Sequence, residues 1–78
     1  MQDIFKTTDL PLASFLKCKG VQLADDYNYR TKEWSFKDED KCKELSLALT
    51  NGEALVNVLE YEMHRKSLLS IAKRTKSD

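Results

Sequence analysis

The sequence predicts an α+β domain: a small three-stranded, mainly antiparallel sheet with helices on one face, in the order strand, helix, strand, strand, helix, helix. Three observations carry that expectation. Short runs of alternating apolar and polar residues fall at 4–7, 21–24 and 34–36, the period of a half-buried strand. Acidic and hydroxyl side chains stand where helices would begin, at Thr8-Asp9 and at Asp38-Glu39-Asp40. Both glycines of the chain, Gly20 and Gly52, stand where the first two of those helices would end.

Ile4 to Thr7 combines β-branched and aromatic residues, so a first strand is expected there with Phe5 turned to the core. In Thr8-Asp9-Leu10-Pro11 a capping side chain precedes a proline in the first turn, where its missing N–H costs least, and a helix is expected over about 10–19. Leu12, Ala13, Phe15 and Leu16 share one side of that helix. Val21 to Ala24 and Trp34 to Phe36 then read as a hairpin with its tip near Arg30-Thr31-Lys32. Pairing Tyr29 with Lys32 sets Tyr27 opposite Trp34, an aromatic pair that would hold register on the core face. Asp25-Asp26 marks either a bulge or a longer loop in the first arm.

A second helix is expected over about 39–50, its first turn acidic and its end closed by Asn51-Gly52. Cys42, Leu45 and Leu49 form its apolar stripe with Ala48 at the margin, while Leu47 points almost the opposite way, beside Lys43 and Glu44, and needs another neighbour. The third helix starts at Glu53 or after an Asn57 cap and runs to about Arg74. Val58, Tyr61, Leu68, Leu69 and Ala72 share a broad stripe on it with Ile71 at the edge, a face for covering the sheet or, as the alternative, a coiled-coil seam. Arg65 falls inside the stripe. Its guanidinium must snorkel or meet a carboxylate, because a buried unpaired charge is too costly to persist. The sharper alternative is that the helix leaves the core near Arg65 and that residues 68–72 bind a twin or a partner.

All of this is expected to fit residues 1–78 as one domain. At 9.0 kDa the area scaling laws leave about 63% of the unfolded surface to be buried. Most large apolar side chains must then join the core or an interface, which excludes a large enzyme with a deep cavity. The 41% hydrophobic and 33% charged content is that of a globular chain. Thirteen basic residues balance thirteen acidic ones, so the total charge draws in neither nucleic acid nor an acidic membrane surface. The basic charge gathers late, at Arg65, Lys66, Lys73, Arg74 and Lys76. Met1-Gln2-Asp3-Ile4 has an acid where a secretory signal would carry positive charge, and no apolar run approaches the ~20 residues of a membrane span. With Cys18 and Cys42 expected to stay reduced, the expected location is the cytoplasm, without a membrane partner.

The chemistry-bearing residues are sparse. Cys18, Cys42 and the single His64 are separated in sequence without a CxxC or HxxxH pair, so no catalytic, metal or cofactor site is expected, and the chain reads as a non-enzyme. Two binding readings remain. In the first, a protein-interaction module meets a partner or its own twin through the C-terminal helix, with Leu47, Arg65, Leu68, Leu69 and Ile71 as candidate contacts. In the alternative, Arg30 and Lys32 at the hairpin tip join Lys66, Lys73, Arg74 and Lys76 to bind nucleic acid, with aromatic residues as a stacking platform. A Glu62–Lys66 pair one turn apart would blunt that charge.

The order Phe5-Lys6-Thr7-Thr8-Asp9-Leu10, Leu12-Ala13, Leu16 and Gly20, then Trp34-Ser35-Phe36, Asn51-Gly52 and Val56, resembles a small domain-of-unknown-function family of bacteria, archaea and their phages or mobile elements. The likeness covers most of the chain. It implies an aromatic hairpin strand and a basic, leucine-containing C-terminal helix, and it implies no catalytic residue or ligand.

Overall fold

The computed structural model describes residues 3–53 and 55–73. Five elements follow one another: β1 (Phe5–Thr7), α1 (Leu10–Cys18), β2 (Trp34–Phe36), α2 (Glu39–Thr50) and α3 (Val58–Lys73). The class is α+β. The sheet, however, has two strands rather than the expected three, and the order is strand, helix, strand, helix, helix.

β1 and β2 run antiparallel with Phe5 opposite Phe36 and Thr7 opposite Trp34. On its other edge β2 meets the 21–24 segment at one isolated bridge, Leu23 to Phe36, framed by Ala24 N–H to Ser35 O at 2.7 Å and Lys37 N–H to Gln22 O at 3.0 Å. A second bridge joins Asn28 to Glu33. Between the two bridges one arm advances from 23 to 28 and the other only from 33 to 36, so Asp25-Asp26 is the surplus. That excursion breaks the ladder after a single pairing, which is why the expected third strand does not form. Beyond it the expected register holds, and Tyr27 meets Trp34 with ring centroids 4.7 Å apart. The Asn28 side chain accepts from the N–H groups of Arg30 and Thr31, and Lys32 takes a left-handed φ of 61° to turn the tip.

The helix ends follow local chemistry. Asp9 accepts from Leu12 N–H at α1's start, and Pro11 stands in the first turn. At its end Gly20 has φ +85°, with Gly20 N–H to Lys17 O and Val21 N–H to Leu16 O both at 3.0 Å. This pair of bonds is a Schellman closure, and its apolar clasp, Leu16 and Val21, is buried. α2 repeats the device: Asp38 caps Lys41 N–H, and Gly52 N–H to Leu49 O with Glu53 N–H to Ala48 O closes the helix. For α3 the later of the two expected starts is the observed one, with the Asn57 side chain accepting from Glu60 N–H. Its expected end at Arg74 lies outside the described residues.

Leu12, Ala13, Phe15 and Leu16 of α1, Val21, Trp34, Phe36, Cys42 and Leu68 form the core. α1 is its spine, with Ser14 buried and satisfied by donating to Leu10 O at 2.8 Å. α3 packs along α1, and Tyr61, Ile71 and Ala72 support the core from its inner side. Two long-range bonds pin α3 at both ends. Lys19 Nζ donates to Leu55 O at 2.7 Å, and Tyr29 Oη donates to Ile71 O at 2.9 Å, tying the hairpin tip to the helix's last turns.

Candidate functional site

α3 points its large apolar side chains in two directions, one into the core and one outward. Leu68 is 1% exposed and belongs to the core, so it is not a surface contact. Leu69 and Ile71 are half-buried, with Ile71 packed against the core. Arg65 is half-buried and finds its carboxylate: its guanidinium lies 3.1 Å from Glu62 Oε1. Glu62 therefore pairs with Arg65, three residues on, and not with Lys66 as expected. Leu47 on α2 is 61% exposed, pointing away from Cys42 as its position on the helix wheel predicted.

The other direction went unread in the sequence. Leu59 is 82% exposed and Met63 58% exposed. Leu59 lies nine residues before Leu68, about two and a half turns, so the two side chains point to opposite sides of one helix. Met63 stands one turn beyond Leu59 on the same outward face. Val58, expected in the core-facing stripe, is exposed as well, and so is Leu55 in the connection before the helix. The missed signal was the pair Leu59 and Met63 itself: two large apolar residues spaced i, i+4, turned away from the stripe that contains Leu68.

The nucleic-acid candidates partly converge. Lys32 and Lys73 line one small cleft of about 240 Å³ together with Tyr27, Tyr29 and Ala72, because the Tyr29–Ile71 bond draws the hairpin tip onto the end of α3. Arg30 and Lys66 are exposed but do not line that cleft. Arg74 and Lys76 lie outside the described residues.

The thiols are set apart from one another. Cys42 is buried in the core and donates to Lys37 O at 3.5 Å. Burial pushes its pKa up, reinforced by Asp38 and Glu39 and opposed by Lys41. Cys18 is half-buried at the end of α1, and burial followed by the Glu60 charge raises its pKa too, against Lys19. A raised pKa keeps both sulfurs in the weakly nucleophilic thiol form. Among the described residues no three His, Cys, Asp or Glu side chains gather as metal ligands, and no helix is long and apolar enough to cross a membrane.

With this geometry the comparisons can be read. A family model described as a domain of unknown function, DUF5659, matches residues 2–74. The chain belongs to the DUF5659 family. The match takes in every element from β1 to α3, so the capped α1, the central aromatic strand and the long last helix all fall within the DUF5659 region. Comparison with curated proteins and with solved structures gives no match.

Proposed function

We propose that this DUF5659 domain is a non-enzymatic accessory module that uses α3 to associate with a second copy of itself or with another protein. The observation that carries the reading is the outward pair Leu59 and Met63, large apolar side chains left in water on a helix whose inner face already holds the core. Single exposed apolar residues are ordinary on any surface; a run of them at helical spacing is what interfaces use. Leu47 and Arg65 remain candidate contacts of this reading, and Leu69 can join at its edge. The contact is weak and concentration-dependent, since a handful of side chains falls short of the ~800 Å² per partner of a stable complex. A cytoplasmic setting, expected from two cysteines read as reduced, and a phage or mobile-element origin, implied by the sequence resemblance, belong to the same proposal. Light scattering across a concentration series tests its self-association form. The mass should rise with concentration for the native chain and stay monomeric for a Leu59→Ser/Met63→Ser double variant. A native chain that remains monomeric throughout, or a double variant that associates as the native chain does, speaks against it.

One observation favours a second reading, a small nucleic-acid-binding module: Lys32 and Lys73 share a cleft with Tyr27 and Tyr29, cations beside rings on which a base can stack. Titration with a single-stranded oligonucleotide should then show affinity that falls steeply with added salt and is lost in Lys32→Gln/Lys73→Gln. Absence of binding at low salt removes this alternative.

A further inference from the structure

The turn that closes α2 carries chemistry as well as geometry. Asn51 and Gly52 are both exposed, and Gly52 has φ +73°, a left-handed conformation that favours a residue without a side chain. The helix stop thereby sets, directly after an asparagine, a backbone nitrogen that no side chain shields. We propose that Asn51 is a site of spontaneous deamidation and that the closure of α2 sets its rate.

The reaction needs only solvent. The Gly52 backbone nitrogen gives its proton to a solvent base and bonds to Asn51 Cγ, while the Cγ–Nδ2 bond breaks and Nδ2 takes a proton from water to leave as ammonia. The product is a cyclic imide that spans both residues. Water then opens it at one of its two carbonyls and returns a proton to the nitrogen. Opening at Cγ leaves an aspartyl residue on the ordinary backbone, whereas opening at the main-chain carbonyl carbon of residue 51 reroutes the chain through the side chain as an isoaspartyl linkage. Nothing is oxidised or reduced: the side-chain amide and one water become a carboxylate and an ammonium ion.

The asparagines of the chain are Asn28, Asn51 and Asn57, and two observations beyond exposure single out Asn51. The first is the following residue. Tyr29 follows Asn28 and the β-branched Val58 follows Asn57, so a side chain crowds the nitrogen that would attack. The second is the hold on the amide. Asn28 accepts from the N–H groups of Arg30 and Thr31, and Asn57 accepts from Glu60 N–H, whereas no hydrogen bond holds the Asn51 side chain among the described residues.

The fold works against the reaction. Gly52 N–H donates to Leu49 O at 3.2 Å, Glu53 N–H donates to Ala48 O at 2.9 Å, and Asn51 has a ψ of 1°. Closing the imide ring needs Cβ, Cα, the carbonyl carbon and the Gly52 nitrogen nearly coplanar, and a ψ near zero turns that nitrogen well out of the plane. The last turn must therefore open first, a local event that helix ends undergo at low cost. Once formed, the product loosens the turn that held it back. It adds negative charge at the end of a helix whose last turn has no basic residue, where the macrodipole opposes it.

Mass spectrometry of the full chain, kept at mildly alkaline pH with and without denaturing urea, tests the proposal. Replacement of an amide by a carboxyl group is read as its mass gain, and fragment spectra assign the position. Conversion should appear first at Asn51 in both conditions and run about five- to thirtyfold faster in urea, the range for a last turn that opens far more easily than the whole domain. Asn51→Gln, which needs a larger and slower-forming ring, should show no gain over the same period. Earlier conversion at Asn28 or Asn57, equal rates with and without urea, or a folded chain still unmodified when the unfolded one has converted completely overturns the proposal.

Discussion

α1 and α3 lie against each other, yet they are built on opposite terms. α1 has nine residues and buries five in succession, from Leu12 to Leu16. α3 has sixteen and buries one, Leu68. The short helix is enclosed by its neighbours and sealed at both ends, by the Asp9 cap and by the Gly20 closure. The long helix covers the core with its inner side and presents Leu59 and Met63 to water with its outer side. In a domain this small there is not enough interior to enclose every helix, so the element with the closest neighbours becomes the spine and the longest becomes a lid with a spare face.

The difference can be broken first at the spine. Phe15→Ala should cost about 3–5 kcal/mol, a large share of the whole stability of a chain of this length, and shift or abolish the cooperative urea transition. Next come the seals. Gly20→Ala places a Cβ in open space but forces a left-handed backbone, so the expected loss is about 1–2 kcal/mol and comes from strain alone. Asp9→Ala removes the cap on α1 for about 1 kcal/mol, read from the same midpoints. An unchanged midpoint in either variant would mean that α1 is not held by its ends.

The smallest effect is one of pH. Burial raises the Cys42 pKa above its ordinary 9.0, so the unfolded thiol ionises first as the solution becomes alkaline. The contribution of the neutral buried thiol is complete below the unfolded value and is lost as pH rises from there through the folded one. Urea midpoints should therefore decline above about pH 9, and Cys42→Ala should show a shallower decline once its own stability offset is subtracted. The remaining slope belongs in part to Tyr61, whose pKa burial also raises, with Arg65 opposing and Glu62 adding to the effect. A decline of the same steepness in both proteins would show that Cys42 does not titrate in this way.

How much of this was legible in the sequence depends on the range of the interactions. The caps and stops were readable because their chemistry is local: Asp9 before Leu10-Pro11, Gly20, and Asn51-Gly52 each act on backbone groups a few residues away. The Tyr27–Trp34 pair was readable from the register of the hairpin tip. The third strand was not, because whether 21–24 becomes a strand or a single bridge depends on where Asp25-Asp26 spends its two surplus residues, a matter decided by packing against β2. On α3 the wheel separated an apolar stripe correctly around Tyr61, Leu68 and Ala72. It also took in Val58, which stands at the helix start and is exposed, and it overlooked the opposite pair, since periodicity ranks one face of a helix and says little about what remains on the other. The cleft shared by Lys32 and Lys73 needed coordinates, because its wall joins residues from the hairpin and α3.

The claim on which the account rests is that α3 has one face in the core and another outside it. Equilibrium urea unfolding of two single variants, Leu68→Ala and Leu59→Ala, tests this most directly. Leu68→Ala should lose about 2–5 kcal/mol and Leu59→Ala less than about 0.5 kcal/mol, under dilute conditions that keep the chain monomeric. Comparable losses at the two positions, or the larger loss at Leu59, would contradict it.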